Sequence, residues 1–165
     1  MTNFKNFTLK QYLDVLAQRT PVPGGGSAAA LTAALGAALI SMVAHYSLGK
    51  GKSAAIEKKI RVILQKSERL RGQFLQLVDL DEQAYLKVVK AQRNAQAKKA
   101  ALKKARAVPL EVGRRCYSAV QLTPYLLQHG NQYVISDIQV AVEFLLAAFK
   151  SAMVNVEINT QGMSR

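Results

Sequence analysis

Asp81 is the residue whose position in the sequence best suits acid–base chemistry. Positions 56, 60, 63, 67, 70, 74, 77, 81, 84 and 88 advance in alternating steps of four and three, and all but Ser67 and Asp81 are apolar. That spacing marks the buried seam of a long helix. Ser67 is small enough to bond its own helix, but Asp81 puts a carboxylate where an apolar side chain belongs. Burial disfavours the charged form, so such a group can exchange a proton nearer neutral pH than an exposed aspartate. The plainer reading is a seam aspartate that bonds a helix end or pairs with a neighbouring base. A second feature is Gly24-Gly25-Gly26-Ser27, which follows Pro21 and Pro23 and leads into a run of Ala and Leu. A glycine turn entering a helix presents free N–H groups and the positive end of the helix dipole, a cradle for an anion or polar ligand. On its own it is equally a tight turn. Asn155 and Asn159 stand four residues apart, on one face of a helix, where they offer polar handles or bridge to a neighbouring helix.

Other chemistries find no support. There is no CxxC or HExxH, and His45 and His129 are far apart, so no metal site is expected. The glycine turn lacks the Gly-Lys-Ser/Thr ending of a nucleotide-binding loop and follows a helix instead of a strand. The single cysteine, Cys116, excludes an intramolecular disulfide and fits a reducing compartment. With 23 Lys and Arg against 10 Asp and Glu, the chain has a formal charge of +13, which points to an anionic partner. The first residues contain no apolar core of a signal peptide, so a cytoplasmic location is expected.

The elements that must position these residues are helical. Thr8 and Gln11 form a capping box for a first helix, with Phe7 stapled onto Tyr12 and an apolar face of Leu9, Tyr12, Leu13 and Leu16. From Ala28 to Leu48 the chain is long enough to cross a membrane. Its Ala-rich composition, with Thr32, Ser41 and His45, instead predicts a buried helix packed against other helices or against its own copy. The seam helix follows. Lys87 to Arg115 carries ten Lys or Arg and only one acid, Glu111, with helix breaks expected near Asn94 and at Val108-Pro109. A helix through Val112, Cys116 and Val120 meets Pro124 and stops at His129-Gly130-Asn131. Ser136-Asp137 reads as the N-cap of a last helix with Val140, Phe144, Ala147, Ala148 and Ser151 facing inward. No segment alternates with period two. The expected fold is an all-α bundle of four to six helices, long helices around a small-residue central one, with no sheet and one domain over residues 1–165.

Several segments carry a family resemblance. PVPGGGSAAALTAALGAAL, MVAHYSLGK, the Asp-x-x-Ala-Tyr of Asp81 to Tyr85, VPLEV at 108–112, and GN…SD…NVEIN ending at Asn159 run in order over nearly the whole chain. Together they resemble the formimidoyltetrahydrofolate cyclodeaminase and methenyltetrahydrofolate cyclohydrolase family. The resemblance implies an all-helical homodimer acting on one-carbon derivatives of tetrahydrofolate, polyglutamylated in many cases, with no tightly bound cofactor. Carried over by position, Asp81 matches the family's acid/base. Gly24, Gly25, Gly26 and Ser27 match its substrate turn, and Lys50 matches its basic loop. Ser136, Asp137, Asn155 and Asn159 match its C-terminal polar motif. Two alternatives stay open on the sequence: a catalytically silent helical scaffold, and a basic nucleic-acid-binding protein. Against the second, the bases are not interleaved with aromatics and no recognition motif is present.

Overall fold

Six α-helices and two short 3-10 turns, with no strand, account for the regular structure of residues 3–49 and 51–164, which this computed structural model describes. The helices are α1 (Leu9–Leu16), α2 (Gly25–Ser47), α3 (Ala54–Lys90), α4 (Ala95–Val120), α5 (Thr123–His129) and α6 (Ser136–Ser164). The all-α expectation therefore holds. α2 is the axis, with α3 and α6 packed along it and α4 against α3 and α6.

The reason lies in the side chains of α2. Ala30, Ala33, Ala37 and Ala44 are fully buried, and small residues let neighbouring backbones come close. At Gly36 an added methyl would sit 2.8 Å from Leu145 Cγ and 3.0 Å from the Ala141 carbonyl, so α6 crosses there against bare backbone. By length and hydropathy α2 also qualifies as a membrane span, the only such helix among the described residues. Its serines show an interior built for protein neighbours. Ser41 donates to the Ala37 carbonyl and lies 2.8 Å from Ser67 Oγ, while Ser47 Oγ accepts the Asn131 N–H at 2.8 Å.

Local rules explain most boundaries. Thr8 and Gln11 close the expected capping box at 3.2 and 2.9 Å. Only one side of α1 meets the core: Tyr12 is buried, whereas Leu9 and Leu13 of the expected apolar face are exposed. The ring of Tyr12 meets Phe4 edge-on, with centroids 6.3 Å apart, and Phe7 packs on Phe4 in turn. α3 is 37 residues, roughly 55 Å at 1.5 Å per residue. Its seam is buried at Ile60, Ile63, Ser67, Phe74 and Leu77 and opens towards the C-terminal end. Asn94 caps α4 by accepting the Ala97 N–H, the break expected there.

Three expectations need correction. Pro109 does not end a helix: α4 continues through it to Val120, held on both flanks by buried Leu102, Ala105, Val112 and Cys116. A proline removes one helical hydrogen bond, and continuous packing against α6 offsets that loss. On α6 the inward row is Ile138, Ala141, Leu145, Ala148 and Ala152. Val140, Ala147 and Ser151 point outward instead, and Phe144 is half-buried. Ser136 is the first residue of α6 and not its cap, because the preceding 3-10 turn (Gln132–Val134) runs into the helix through Ile135, which is already helical.

Candidate active site

The N-terminus of α2 has no cap of its own. Gly24 occupies the cap position in extended backbone (φ −131°, ψ −162°) and has no side chain to accept the first-turn N–H groups. The Asp81 carboxylate of α3 packs against this turn from across the bundle. A methyl group at Gly26 would fall on the Asp81 carboxylate, so the contact exists only because residue 26 is glycine. Burial pushes the Asp81 carboxyl above the usual aspartate range, and hydrogen bonding from the Ser27 backbone opposes that shift. No ion pair reaches Asp81 among the described residues.

Behind the carboxylate lies a buried hydroxyl pair. Tyr12 Oη of α1 and Ser27 Oγ of α2 are 2.9 Å apart. Burial raises the Tyr12 phenol, the Ser27 bond opposes that rise, and the negative charge of Asp81 adds to it.

In front of it opens a cleft of about 220 Å³. Pro21, Val22 and Gly24 to Gly26 form one wall, with a cis Val22–Pro23 peptide. Asp81 and Tyr85 of α3 form another, and Asn155, Ile158 and Asn159 of α6 close the third. An added methyl at Gly25 would lie 3.8 Å from Asn155 Nδ2, so that amide faces the glycine turn. Asn155 Nδ2 donates to the Ser151 carbonyl at 2.9 Å, leaving its Oδ1 as an acceptor for a ligand. The arrangement thus offers one carboxyl of raised pKa, uncapped backbone N–H groups and two amides around a small polar space.

Of the residues singled out in the sequence, Asp81, Gly24, Gly25, Gly26, Asn155 and Asn159 meet in this cleft. Ser27 is fully buried, with its hydroxyl taken by Tyr12, so it supports the site from behind and does not line it. Ser136 and Asp137 do not line the cleft. They begin α6, whereas Asn155 is 18 residues beyond Asp137, roughly 27 Å along the helix. Lys50 lies outside the described residues. Three contributors gain a role only in the fold. Tyr85, as plausible a core residue by its pattern, is 45% exposed and lines the cleft one turn after Asp81, a spacing visible in the chain. Ile158 follows the same logic between the two asparagines, whereas Tyr12 carries no local signal, because its partner is 15 residues away.

Elsewhere the chain offers less. A wider groove of about 550 Å³ between α3 and α5, lined by Lys58, Lys59, Lys66 and Tyr125 among apolar residues, contains no acidic side chain for proton transfer. Burial pushes the Cys116 thiol up to about 12, which suppresses the reactive thiolate. His45 is exposed on the outer side of α2.

The chain is similar to known proteins over nearly its whole length. The chain is 38% identical to a methenyltetrahydrofolate cyclohydrolase of Methylorubrum extorquens, over 96% of this chain and 81% of that protein. It is 32% identical to the formimidoyltransferase-cyclodeaminase of Rattus norvegicus, covering 95% of this chain but only 31% of that longer protein. In three dimensions it matches the crystal structure of a formiminotetrahydrofolate cyclodeaminase from Thermotoga maritima with a TM-score of 0.93 and 31% identity, over 97% of this chain and 81% of the other. Residues 8–164 match the family model described as formiminotransferase-cyclodeaminase, and the chain belongs to that family.

Proposed function

We propose that this chain is a folate one-carbon enzyme that hydrolyses the methenyl bridge of methenyltetrahydrofolate, with Asp81 as the general acid/base. The observation that carries the reading is a raised-pKa carboxyl, free of any ion pair among the described residues, set between an uncapped helix N-terminus and two amides. In the forward step Asp81 takes a proton from water as the water oxygen bonds to the bridge carbon. The carboxylic acid then returns that proton to the departing folate nitrogen as its bond to carbon breaks. The bridge becomes a formyl group, and the positive charge of the methenyl form leaves as one proton. The first-turn N–H groups of α2 would bind the developing oxygen charge. No cofactor enters this sequence.

The relationship to a cyclodeaminase favours a second reaction by the same group. There the exocyclic folate nitrogen attacks the carbon of the protonated formimino group, whose positive charge stays on the methenyl bridge that forms. Asp81 moves the proton from the attacking nitrogen to the departing one, and ammonia leaves. Loss of the near-ultraviolet absorbance of methenyltetrahydrofolate reports the hydrolysis, and ammonia release from formiminotetrahydrofolate reports the deamination. Asp81→Asn should fold and lose about 100-fold or more of turnover, the usual scale of a general acid/base. Equal rates in variant and wild type would remove Asp81 from the mechanism, and no turnover of either substrate by the wild type would favour a silent scaffold.

The substrate is anionic through its glutamate tail, and a formal charge of +13 attracts longer polyglutamate tails, more weakly as salt rises. Single-stranded RNA bound more tightly than polyglutamyl folate at physiological salt would favour the nucleic-acid alternative.

The working form is a homodimer. The outer row of α6, including Val140, Ala147, Val154 and Ile158, is an apolar stripe, and Ile158 also lines the cleft. At about 220 Å³ the cleft is below the roughly 300–1,000 Å³ usual for a small-molecule site, and a second copy on the stripe would extend its wall at Ile158. Val154→Glu should shift the sedimentation coefficient to that of a monomer and reduce turnover; an unchanged value would exclude the stripe as the interface.

A further inference from the structure

We propose that Tyr12 and Ser27 form a positioning pair that sets the proton affinity of Asp81, an inference that rests on the acid/base reading above. Two contacts carry it. The two hydroxyls are 2.9 Å apart and buried. The Asp81 carboxylate is packed on Gly26, the residue immediately before Ser27.

A serine in the first turn of a helix has two groups to offer an acceptor at the helix end, its backbone N–H and its hydroxyl. In this proposal Ser27 Oγ is the donor to Tyr12 Oη, which reaches in from α1, so the hydroxyl is held there. Asp81 is left with the Ser27 backbone alone, which favours its charged form. Each additional hydrogen bond to a carboxylate favours its charged form. By withholding the Ser27 hydroxyl, Tyr12 keeps the carboxyl protonatable in a site that would otherwise hold it as a permanently charged helix cap. The capping box at Thr8 and the aromatic contact with Phe4 then acquire a catalytic purpose, since they fix the ring that holds the hydroxyl.

Tyr12→Phe keeps the ring and removes only the hydroxyl. The freed Ser27 hydroxyl should turn to Asp81 and increase its acidity about tenfold, moving its titration down by about one pH unit. Carbon-13 labelling of the aspartate carboxyls reads this directly by NMR, with the Asp81 signal assigned by its absence in Asp81→Asn. The acid limb of kcat/KM for methenyltetrahydrofolate should move in the same direction. Adding Ser27→Ala to Tyr12→Phe removes the freed hydroxyl and should return both titrations towards the wild type. A merely structural role for the pair would lower stability in all these variants without that reversal. An Asp81 signal that titrates alike in wild type and Tyr12→Phe overturns the proposal. The NMR titration does not depend on Asp81 being catalytic, so full turnover by Asp81→Asn defeats the acid/base reading separately.

Discussion

Asp79 and Asp81 stand two residues apart on α3, and the protein uses them in opposite ways. Asp79 is only 7% exposed and is fully engaged: its Oδ1 accepts the Lys5 N–H at 3.2 Å, and its Oδ2 lies 3.5 Å from Lys5 Nζ. It ties the N-terminal 3-10 turn (Phe4–Asn6) to the bundle. Asp81 is less buried, has no cation partner among the described residues, and faces a cleft. Burial alone therefore does not identify the reactive carboxylate. What separates the two is the neighbour: a lysine whose N–H and Nζ engage the carboxylate in one case, and a bare glycine turn that leaves the carboxyl space but little compensation in the other.

The sharpest test of that distinction acts on the turn. Gly26→Ala places a methyl where the Asp81 carboxylate sits, so the carboxylate must move. We expect a loss of about a hundredfold in kcat/KM, the scale that follows from misplacing a catalytic group by about an ångström. Stability should change much less, because alanine is a better helix residue than glycine by about 0.5–1 kcal/mol and partly offsets the displacement. Gly25→Ala is the matched control. Its methyl meets Asn155 at an ordinary 3.8 Å, so its activity loss should be clearly smaller. Similar losses from the two variants would mean that the Gly26–Asp81 contact has no special role.

Only the Asp81 half of this contrast is legible in the amino-acid sequence, through local spacing; Asp79, off that seam yet more buried, carries no such signal. The three- and four-residue steps of α3 put Asp81 on the inner seam, and the Gly24–Gly26 turn opens α2 as expected. The rest depends on partners distant in sequence. Ser67 and Asp81 look alike as polar residues on one seam, but only Ser67 meets a serine of α2 through its side chain. On α6 two apolar rows compete, and Gly36 of α2 selects the one containing Leu145 by admitting it against backbone. A helix apolar on more than one side does not announce which side is buried. Pro109 shows the converse: the local rule ends a helix, and packing along α4 overrides it. Ser136 and Asp137 share a motif with the asparagines in sequence, but the straight run of α6 carries them to its other end.

Asp79 offers the reciprocal perturbation. Asp79→Ala removes the acceptor for the Lys5 N–H and the carboxylate beside Lys5 Nζ. Loss of a buried hydrogen-bond partner costs about 1–3 kcal/mol, to be read from urea unfolding. Turnover at saturating substrate should stay within about twofold of wild type, far below the scale of losing a general acid/base. A large activity loss in a folded Asp79→Ala would show that the two carboxylates act as one site.

The smallest effect is the most diagnostic of what Asp81 is. Its carboxyl is raised in the fold by burial, so ionising it is harder in the folded than in the unfolded chain. Its contribution to stability is fully present below the ordinary aspartate pKa, where the group is protonated in both states. That contribution is lost as pH rises through the raised value. An asparagine side chain in its place is neutral throughout and keeps an acceptor for the Ser27 N–H. Asp81→Asn should therefore match wild type in acid and become the more stable protein towards neutral pH, by less than the Asp79→Ala change. Thermal unfolding of both proteins across that range decides the matter. If the variant is instead the less stable at neutral pH and the gap closes in acid, the Ser27 backbone bond outweighs burial. Asp81 would then be a second structural carboxylate like Asp79, held in its charged form to cap α2.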